Sequence, residues 1–474
     1  MTGPAADDCA TLASAYATGE RSPVEQLHAV LQQVARWEPH IAALWAVDAD
    51  AALAQAEASE QRWRRGQPLS PLDGVPVTIK ENIATAGTPV PLGTAATELA
   101  PAPADAPPAA RLREAGAVLL GKTTMPDFGM LSSGLSSFHA LSRNPWNRGL
   151  NPGGSSAGAA AAAAAGYGPL HIGTDIGGSI RLPAAWCGVV GFKPSNGRVP
   201  IHPPYLGRVA GPLARSVADV AAAMAVLSHP DERDATRLPW ADLPWHEVAA
   251  TGAGFVRGLR IALLRDAGWG LAVDAAVAAA LDDAAARLRD AGAVVEAVAP
   301  FTTPEMAEGI ERFWQLRSGL DLSALPAARR ERVLPFIRAW VAPAAGFDAA
   351  TAFHGYSQFA RLRDAAVGAL AVPGSGARRF DFLLSPVSPN GGFPAEWAMP
   401  SNDPARAMAH IGFTLPFNAS EQPAVAVPTG LLAGGAPTGV QFAGARHDDI
   451  GVLKLARAFE QLRGPLPPWP LLPT

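Results

Sequence analysis

Residues 151–194 read NPGGSSAGAAAAAAAGYGPLHIGTDIGGSIRLPAAWCGVVGFKP, and the rest of the chain is organised around this stretch. Two glycine-serine turns, at 153–156 and 175–179, lie on either side of an alanine run that favours a helix. Glycine allows a positive φ and a close approach of backbone to ligand. The second turn places consecutive backbone N–H groups beside the Ser179 hydroxyl, as a nucleophile with its oxyanion hole requires. The serines of the first turn then lie at a helix N-terminus.

Composition excludes several classes of protein. Of the 474 residues 49% are hydrophobic, which is enough for a large core, and 38 basic against 42 acidic residues give a net charge of −4. We therefore expect no nucleic-acid partner, because phosphate binding needs a basic face. Two cysteines, Cys9 and Cys187, exclude a disulfide framework and a cysteine-rich metal site. Without a secretory signal or an apolar run of about 20 residues, we expect a cytoplasmic protein that binds no membrane.

One run matches the phosphate-binding P-loop, G-x-x-x-x-G-K-[ST], letter for letter at residues 116–123. A working P-loop needs a strand before the first glycine and a helix after the lysine. Here the positions between the glycines are themselves typical of a strand, and Pro126 follows where the helix would begin. The predicted strand and Pro126 therefore argue against a P-loop at 116–123. A nucleotide-binding protein is kept as a separate alternative.

A second run, Gly154 to Gly158, fits the G-x-S-x-G elbow of α/β-hydrolases, with Ser156 as the nucleophile. That elbow needs a strand directly before it. Residues 144–152 contain two prolines and three asparagines, which is typical of a loop. The ten histidines include no H-x-x-x-H pair, so we predict no metal site.

Strand and helix patterns alternate along the chain. Three helices are predicted over residues 7–66, and an apolar strand then ends at Lys80. Further β-α units follow Pro194, and repeated units of this kind predict an α/β fold with a mixed sheet flanked by helices. We expect a single domain over 1–474, with a core of about 1–227 and 376–474 and a helix-rich insertion of about 228–375 that covers the site. Most aromatic residues of this insertion are expected to lie in the core, and some to line a substrate channel. These residues are Phe313, Trp314, Phe336, Trp340, Phe347 and Phe353.

A serine hydroxyl needs a base, and no His/Asp pair stands out in the sequence. A lysine can serve if burial lowers its pKa towards neutrality. Lys80 ends an apolar strand, although that position alone also suits a surface lysine whose stem covers apolar surface.

GGSSAG, GTDIGGSIRLPAAWCGVVGFKP and VPVTIKENI (75–83) resemble the amidase signature family, and the resemblance covers nearly the whole chain. It implies Lys80 as base, Ser155 as relay after a cis peptide bond, and Ser179 as nucleophile. It also implies supporting roles for Asp175 and Arg181 and an oxyanion hole made by the backbone N–H groups of Ile176, Gly177, Gly178 and Ser179.

The same resemblance implies an amidohydrolase that cleaves C–N bonds of amides, anilides or carbamates (urethanes) through an acyl-enzyme. We expect no cofactor and no metal, a small-molecule amide or carbamate as substrate, and a monomer or homodimer. The alternative is the amidase subunit of a transamidating amidotransferase complex. Gly134-Leu135 departs from the Thr-Glu usual in that subunit, which favours a larger or more apolar acyl or amine group. The family's acyl-pocket loop aligns with 128–133, so the expected substrate-binding residues are Gly129, Met130, Leu131 and Ser132.

Overall fold

Apolar strands and amphipathic helices alternate in a computed structural model of the chain that describes residues 7–372, 374–470 and 472. Within that part of the chain 11 strands form one sheet. The strands are β1 (Leu44–Trp45), β2 (Pro76–Lys80), β3 (Val118–Thr123), β4 (Leu170–Asp175), β5 (Val190–Lys193), β6 (Val209–Ala214), β7 (Arg260–Leu264), β8 (Val294–Val298), β9 (Phe382–Pro386), β10 (Ala424–Leu431) and β11 (Pro437–Ala443).

Helices flank the sheet, and local sequence sets where several of them begin. Ser22 and Glu25 form a reciprocal capping box ahead of the second helix, and Ser216 accepts a bond from the Asp219 N–H ahead of the seventh. The helices are α1 (Cys9–Thr18), α2 (Pro23–Ile41), α3 (Ala49–Arg64), α4 (Pro107–Glu114), α5 (Ala157–Ala165), α6 (Arg181–Cys187), α7 (Val217–Leu227), α8 (His246–Ala249), α9 (Ala275–Asp290), α10 (Pro304–Ser323), α11 (Ala327–Arg330), α12 (Pro335–Val341), α13 (Ala349–Gly368), α14 (Leu415–Ala419) and α15 (Asp449–Leu462).

The sheet is mixed, in the order β1-β3-β2-β4-β6-β5-β10-β11-β9-β7-β8. β2 pairs in parallel with both β3 and β4, and β7 pairs in parallel with both β8 and β9, whereas the remaining pairs are antiparallel. The α/β class with a mixed, helix-flanked sheet is therefore confirmed, as are the three helices predicted before β2. Because β2 and β4 are neighbours, the lysine segment and the second turn meet at one edge of the sheet.

The insertion that we expect over about 228–375 also supplies β7 and β8 to the common sheet. Its helical part, from α10 to α13, spans residues 304–368. The apolar segments at 260–264 and 294–298 pair with each other, and 260–264 also pairs with β9, so β7 has hydrogen-bonded neighbours on both sides and β8 is the edge strand.

The P-loop match at 116–123 is explained by β3, which contains both Gly121 and Lys122. Its backbone is paired with β2, so no phosphate-cradling loop lies between the two glycines. Lys122 is buried, and its amine donates to the Ile83 carbonyl and lies 3.3 Å from Thr85 Oγ1. The match reflects an ordinary buried strand.

The alanine run forms α5, and all nine of its residues are buried. This helix contributes to two hydrophobic clusters, one shared with α6, α10, α13 and α14 and the other with α2 and α3. A helix enclosed on every side has room only for small side chains. A Cβ on Gly158 would lie 2.1 Å from the Ala43 carbonyl oxygen and 2.5 Å from the Thr124 backbone nitrogen.

None of the helices in the described ranges is both long enough and apolar enough to cross a bilayer. A cytoplasmic location stays a prediction.

Gly158→Ala should destabilise the protein by about 1–3 kcal/mol, because the added methyl meets backbone atoms that cannot move aside. Alanine has a higher helix propensity than glycine, by about 1 kcal/mol, so helix propensity alone would predict that Gly158→Ala stabilises the protein. Gly368→Ala, in α13, is the matched control, since nothing lies within 4 Å of its added Cβ. Urea denaturation measures both. Equal or greater stability of Gly158→Ala would contradict the close packing of α5.

Candidate active site

Lys80 ends β2, and its side chain is completely buried. Among the described residues the partners of the amine are three hydroxyls: Nζ lies 2.7 Å from Ser155 Oγ, 3.1 Å from Ser156 Oγ and 3.0 Å from Thr174 Oγ1. Thr174 comes from the neighbouring strand β4, and the two serines come from the first turn. The structure thus brings together the lysine segment and the first turn, 75 residues apart in sequence.

The three hydroxyls around Lys80 differ in their other partners. Ser156 Oγ donates to the Thr174 carbonyl at 3.2 Å, so its oxygen accepts from Lys80. Thr174 Oγ1 accepts from Asn82 Nδ2 at 3.1 Å and lies 3.5 Å from Asn82 Oδ1. Ser155 Oγ, at 2.7 Å, is the nearest of the three oxygens to Nζ and lies within reach for a proton transfer.

The electrostatics favour the neutral amine. Burial, reinforced by the nearby Arg208 guanidinium, holds the pKa of Lys80 well below its ordinary value. Asp175 and Glu81 act in the opposite direction, but their effect is smaller. A lysine with a depressed pKa is deprotonated over more of the neutral range and can act as a base.

The first turn is held by Asn151, which sequence reasoning missed. Asn151 Oδ1 accepts from the N–H groups of Gly134 and Gly153, both at 2.9 Å, and its amide donates to the Ala395 carbonyl at 2.8 Å. The Gly154–Ser155 peptide bond is cis. A Cβ on Gly154 would lie 2.4 Å from a backbone nitrogen of the facing loop, so only glycine fits there.

The second turn is held by Asp175 and Arg181, both fully buried. The Asp175 carboxylate accepts from Arg181 Nε at 3.1 Å and Nη2 at 2.9 Å, and from the Ile180 N–H at 3.0 Å. Burial raises the pKa of Asp175, but Arg181 overrides this and holds it well below its usual range. Arg181 Nη1 also donates to the Thr414 carbonyl at 2.9 Å and to Gln441 Oε1 at 2.7 Å, so its charge is well satisfied.

The expected oxyanion hole needs one correction. The Gly178 N–H donates to Asp175 Oδ1 at 2.8 Å, so it is not free to bind a substrate oxygen. Within the described residues, no hydrogen bond occupies the N–H groups of Ile176, Gly177 and Ser179. Three of the four expected donors are therefore available.

Ser156 lies at a helix N-terminus, as the sequence predicts for the serines of the first turn. It occupies the position before α5 but makes no side-chain capping bond. Instead its hydroxyl bonds Lys80 Nζ and the Thr174 backbone, accepting from that residue's N–H at 3.3 Å. Since the hydroxyl is drawn towards the buried amine, Ser156 is a partner of Lys80.

Ser179 is half-buried at the wall of a pocket of about 650 Å³. The four expected substrate-binding residues, Gly129, Met130, Leu131 and Ser132, all line this pocket. The opposite wall comes from the helices of residues 304–368. Of the six aromatics considered there, Trp314 and Trp340 reach the pocket, whereas Phe353 is 74% exposed. The remaining lining residues are Asn82, Ala84, Val90, Leu92, Phe128, Ile176, Gly177, His202, Pro203, Pro204, Tyr205, Arg208, Arg317, Ser318, Asp321, Met399, Met408 and Ile411.

Comparison with known proteins gives consistent matches. The family model "Amidase" matches residues 25–453. A glutamyl-tRNA(Gln) amidotransferase subunit from Chloroflexus aggregans is 34% identical over 478 residues, covering 95% of each chain. The corresponding subunit from Myxococcus xanthus is 35% identical over 476 residues, covering 95% of this chain and 96% of its own.

Solved structures are similar over nearly the full length. A bacterial aryl acylamidase of the amidase signature enzymes superposes with a TM-score of 0.86 at 29% identity, covering 96% of each chain. The peptide amidase of Stenotrophomonas maltophilia gives a TM-score of 0.83 at 28% identity, covering 98% of this chain and 99% of that one. A 6-aminohexanoate cyclic dimer hydrolase gives 0.80 at 26% identity, covering 97% and 98%.

Asp175→Asn should cost about 3–5 kcal/mol of stability at neutral pH, because it leaves the buried Arg181 charge without its counter-charge. Since the pKa of Asp175 is depressed on folding, its contribution is fully present above the pKa of an unfolded aspartate and is lost as the pH falls towards the folded value. Urea denaturation at several pH values measures this difference between the wild type and the variant.

The control is Asp283→Asn, which breaks an exposed i,i+4 pair with Arg287 and should change stability little. Equal effects of the two variants would contradict the role assigned to the buried pair.

Proposed function

Because this chain belongs to the amidase signature family and is therefore a C–N hydrolase, we propose that Ser179 is its nucleophile, Ser155 its relay and Lys80 its base. The observation that carries this assignment is the buried Lys80 amine, whose nearest hydroxyl is Ser155 Oγ at 2.7 Å, while Ser156 Oγ lies at 3.1 Å and donates to the Thr174 carbonyl. Ser179 is the serine that borders both the pocket and free backbone N–H groups.

In the proposed mechanism, Lys80 removes the proton of Ser155 as Ser155 removes that of Ser179. Ser179 Oγ attacks the amide carbonyl carbon, and the N–H groups of Ile176, Gly177 and Ser179 receive the developing oxyanion. The proton then returns through Ser155 to the amine nitrogen, and the C–N bond breaks. Water attacks the resulting ester by the same relay, releasing the acid and restoring Ser179.

The biological role has two candidates. Both amidotransferase relatives described above are subunits of a larger enzyme, which favours the amidase subunit of a transamidating complex over a stand-alone hydrolase. On this proposal the chain works with partner subunits and not as the monomer or homodimer that the sequence led us to expect.

The pocket favours the second candidate, a stand-alone hydrolase of bulky apolar amides, anilides or carbamates. Trp314, Trp340 and Ile411 line its wall, and Gly134-Leu135 replaces the polar pair usual in the transamidating subunit. The purified chain should be assayed on glutamine and on a 4-nitroanilide, with a search for co-purifying subunits. Turnover of the anilide alone without partners supports the stand-alone role, whereas partner-dependent glutamine hydrolysis supports the subunit role.

The nucleophile is tested by intact-protein mass spectrometry after treatment with a fluorophosphonate, followed by peptide mapping. We expect one label on Ser179 and none on Ser179→Ala. Ser155→Ala should label slowly, because a lost proton relay is worth about 100- to 10,000-fold. Ser156→Ala should label at an intermediate rate, since Lys80 loses one partner but keeps Ser155.

A label on Ser155 or Ser156 that persists in Ser179→Ala would contradict the assignment. Ser195→Ala is a matched control, because its hydroxyl is buried, accepts from the His447 N–H at 3.1 Å and does not line the pocket. It should label at the wild-type rate.

A further inference from the structure

A cation on the pocket wall has no acidic partner. Arg208 precedes β6 and lines the pocket, and the residue as a whole is partly exposed. Its contacts are long ones to backbone carbonyls: Nη1 lies 3.3 Å from the Pro203 oxygen and Nη2 3.5 Å from the Asn82 oxygen. Across the described ranges, no carboxylate forms an ion pair with it. A guanidinium presents five donors, so most of those of Arg208 are left for a ligand.

The surroundings add positive charge. Arg317, on α10, also lines the pocket, and burial together with this second cation lowers the pKa of Arg208 to about 10. Arg317 lies over the Tyr205 ring at 4.0 Å and has its own carboxylate, Asp321, at 3.4 Å. Asp321 therefore compensates Arg317, and the charge of Arg208 stays uncompensated.

The position of Arg208 relates it to the reacting groups. Asn82, whose carbonyl it approaches, is two residues beyond Lys80, and the same pocket contains Ser179. A substrate whose carbonyl reaches Ser179 thus extends towards Arg208 within one cavity of about 650 Å³. An anionic group on that substrate would accept hydrogen bonds from the free N–H groups of Arg208. It would thereby replace the water that the guanidinium loses on burial.

We propose that Arg208 recognises a carboxylate on the substrate, so that the preferred substrates are amides that carry a carboxylate beside the scissile bond. This inference rests on the proposed function and names the substrate class of the same site. A planar carboxylate matches the fork of a guanidinium in a bidentate pair. The apolar wall of Trp314, Trp340 and Ile411 then receives the rest of the molecule.

The test compares matched chromogenic amides that differ by one carboxylate. On the acyl side the pair is butyric acid 4-nitroanilide and succinic acid mono-4-nitroanilide. On the amine side it is 4-nitroacetanilide and 5-acetamido-2-nitrobenzoate. In one of the two arms the wild type should favour the anionic member by about 10- to 100-fold in kcat/KM, mainly through KM, as expected for a charged hydrogen bond. No preference in either arm would overturn the proposal, whatever the variants do.

Arg208→Gln should remove the preference, measured as the ratio of kcat/KM for the anionic amide to kcat/KM for the neutral one. Any effect of the lost guanidinium on the pKa of Lys80 acts on both amides and cancels from this ratio. Arg208→Lys should keep part of it, since the charge stays but the fork is lost. Arg312→Gln, on the same helix as Arg317 but exposed and paired with Glu308, is the control and should retain the preference. An equal loss for both amides in Arg208→Gln would show a structural role instead and overturn the proposal.

Failure of this inference can be told from failure of the proposed function. An enzyme that is labelled on Ser179 and hydrolyses neutral and anionic amides equally well contradicts only the role of Arg208. An enzyme that is not labelled on Ser179 contradicts the catalytic assignment itself.

Discussion

The burial of one amine among three hydroxyls is the constraint on which the site depends. Lys80 lies on a strand with parallel neighbours on both sides, so water cannot reach its ammonium form and the neutral form is favoured. Its partners come from β4 and from the turn before α5. The contact between Lys80 and Ser155 therefore depends both on the register of β2 against β4 and on the packing position of α5. The alanine composition of α5 follows from the same requirement, since larger side chains would push that turn away.

The buried basic side chains Arg181 and Lys80 are accommodated in the protein interior in opposite ways. Arg181 cannot lose its proton, so it is matched by Asp175 and by carbonyl and amide oxygens that satisfy its remaining donors. Among the described residues no carboxylate lies within hydrogen-bond distance of Lys80, and burial favours its neutral form by lowering its pKa well below the ordinary lysine value. The ion pair with Asp175 fixes the turn that carries Ser179, and the neutral form of Lys80 is what the proposed base requires. Asp175 also accepts from the Gly178 N–H, which leaves three of the four N–H groups for the proposed oxyanion hole.

Much of this arrangement could be predicted from the sequence, because the motifs that carry it are local. Alternating strands and helices predicted the α/β class, and the two turns with their serines could be located from glycine and alanine patterns. Contacts between distant segments could not. The Asn151 side chain that holds the first turn looks like any loop asparagine, and the bond from Ser156 to Lys80 depends on a strand 76 residues away. The two strands within 228–375 join the common sheet because β7 pairs with β9 and β8 pairs with β7, contacts that no local pattern shows.

The protonation of Lys80 is the property that tests this account most directly. Lysine labelled with ¹³C at Cε and ¹⁵N at Nζ reports by NMR whether the amine is charged, and Lys80→Met assigns the signal. Lys454, whose amine forms an ion pair with Glu247 at 2.6 Å, gives the reference signal in the same spectrum. We expect Lys80 to titrate well below the ordinary lysine range, because burial disfavours its charged form. An amine that stays protonated until the pH reaches the ordinary lysine range would contradict the assignment of Lys80 as the base.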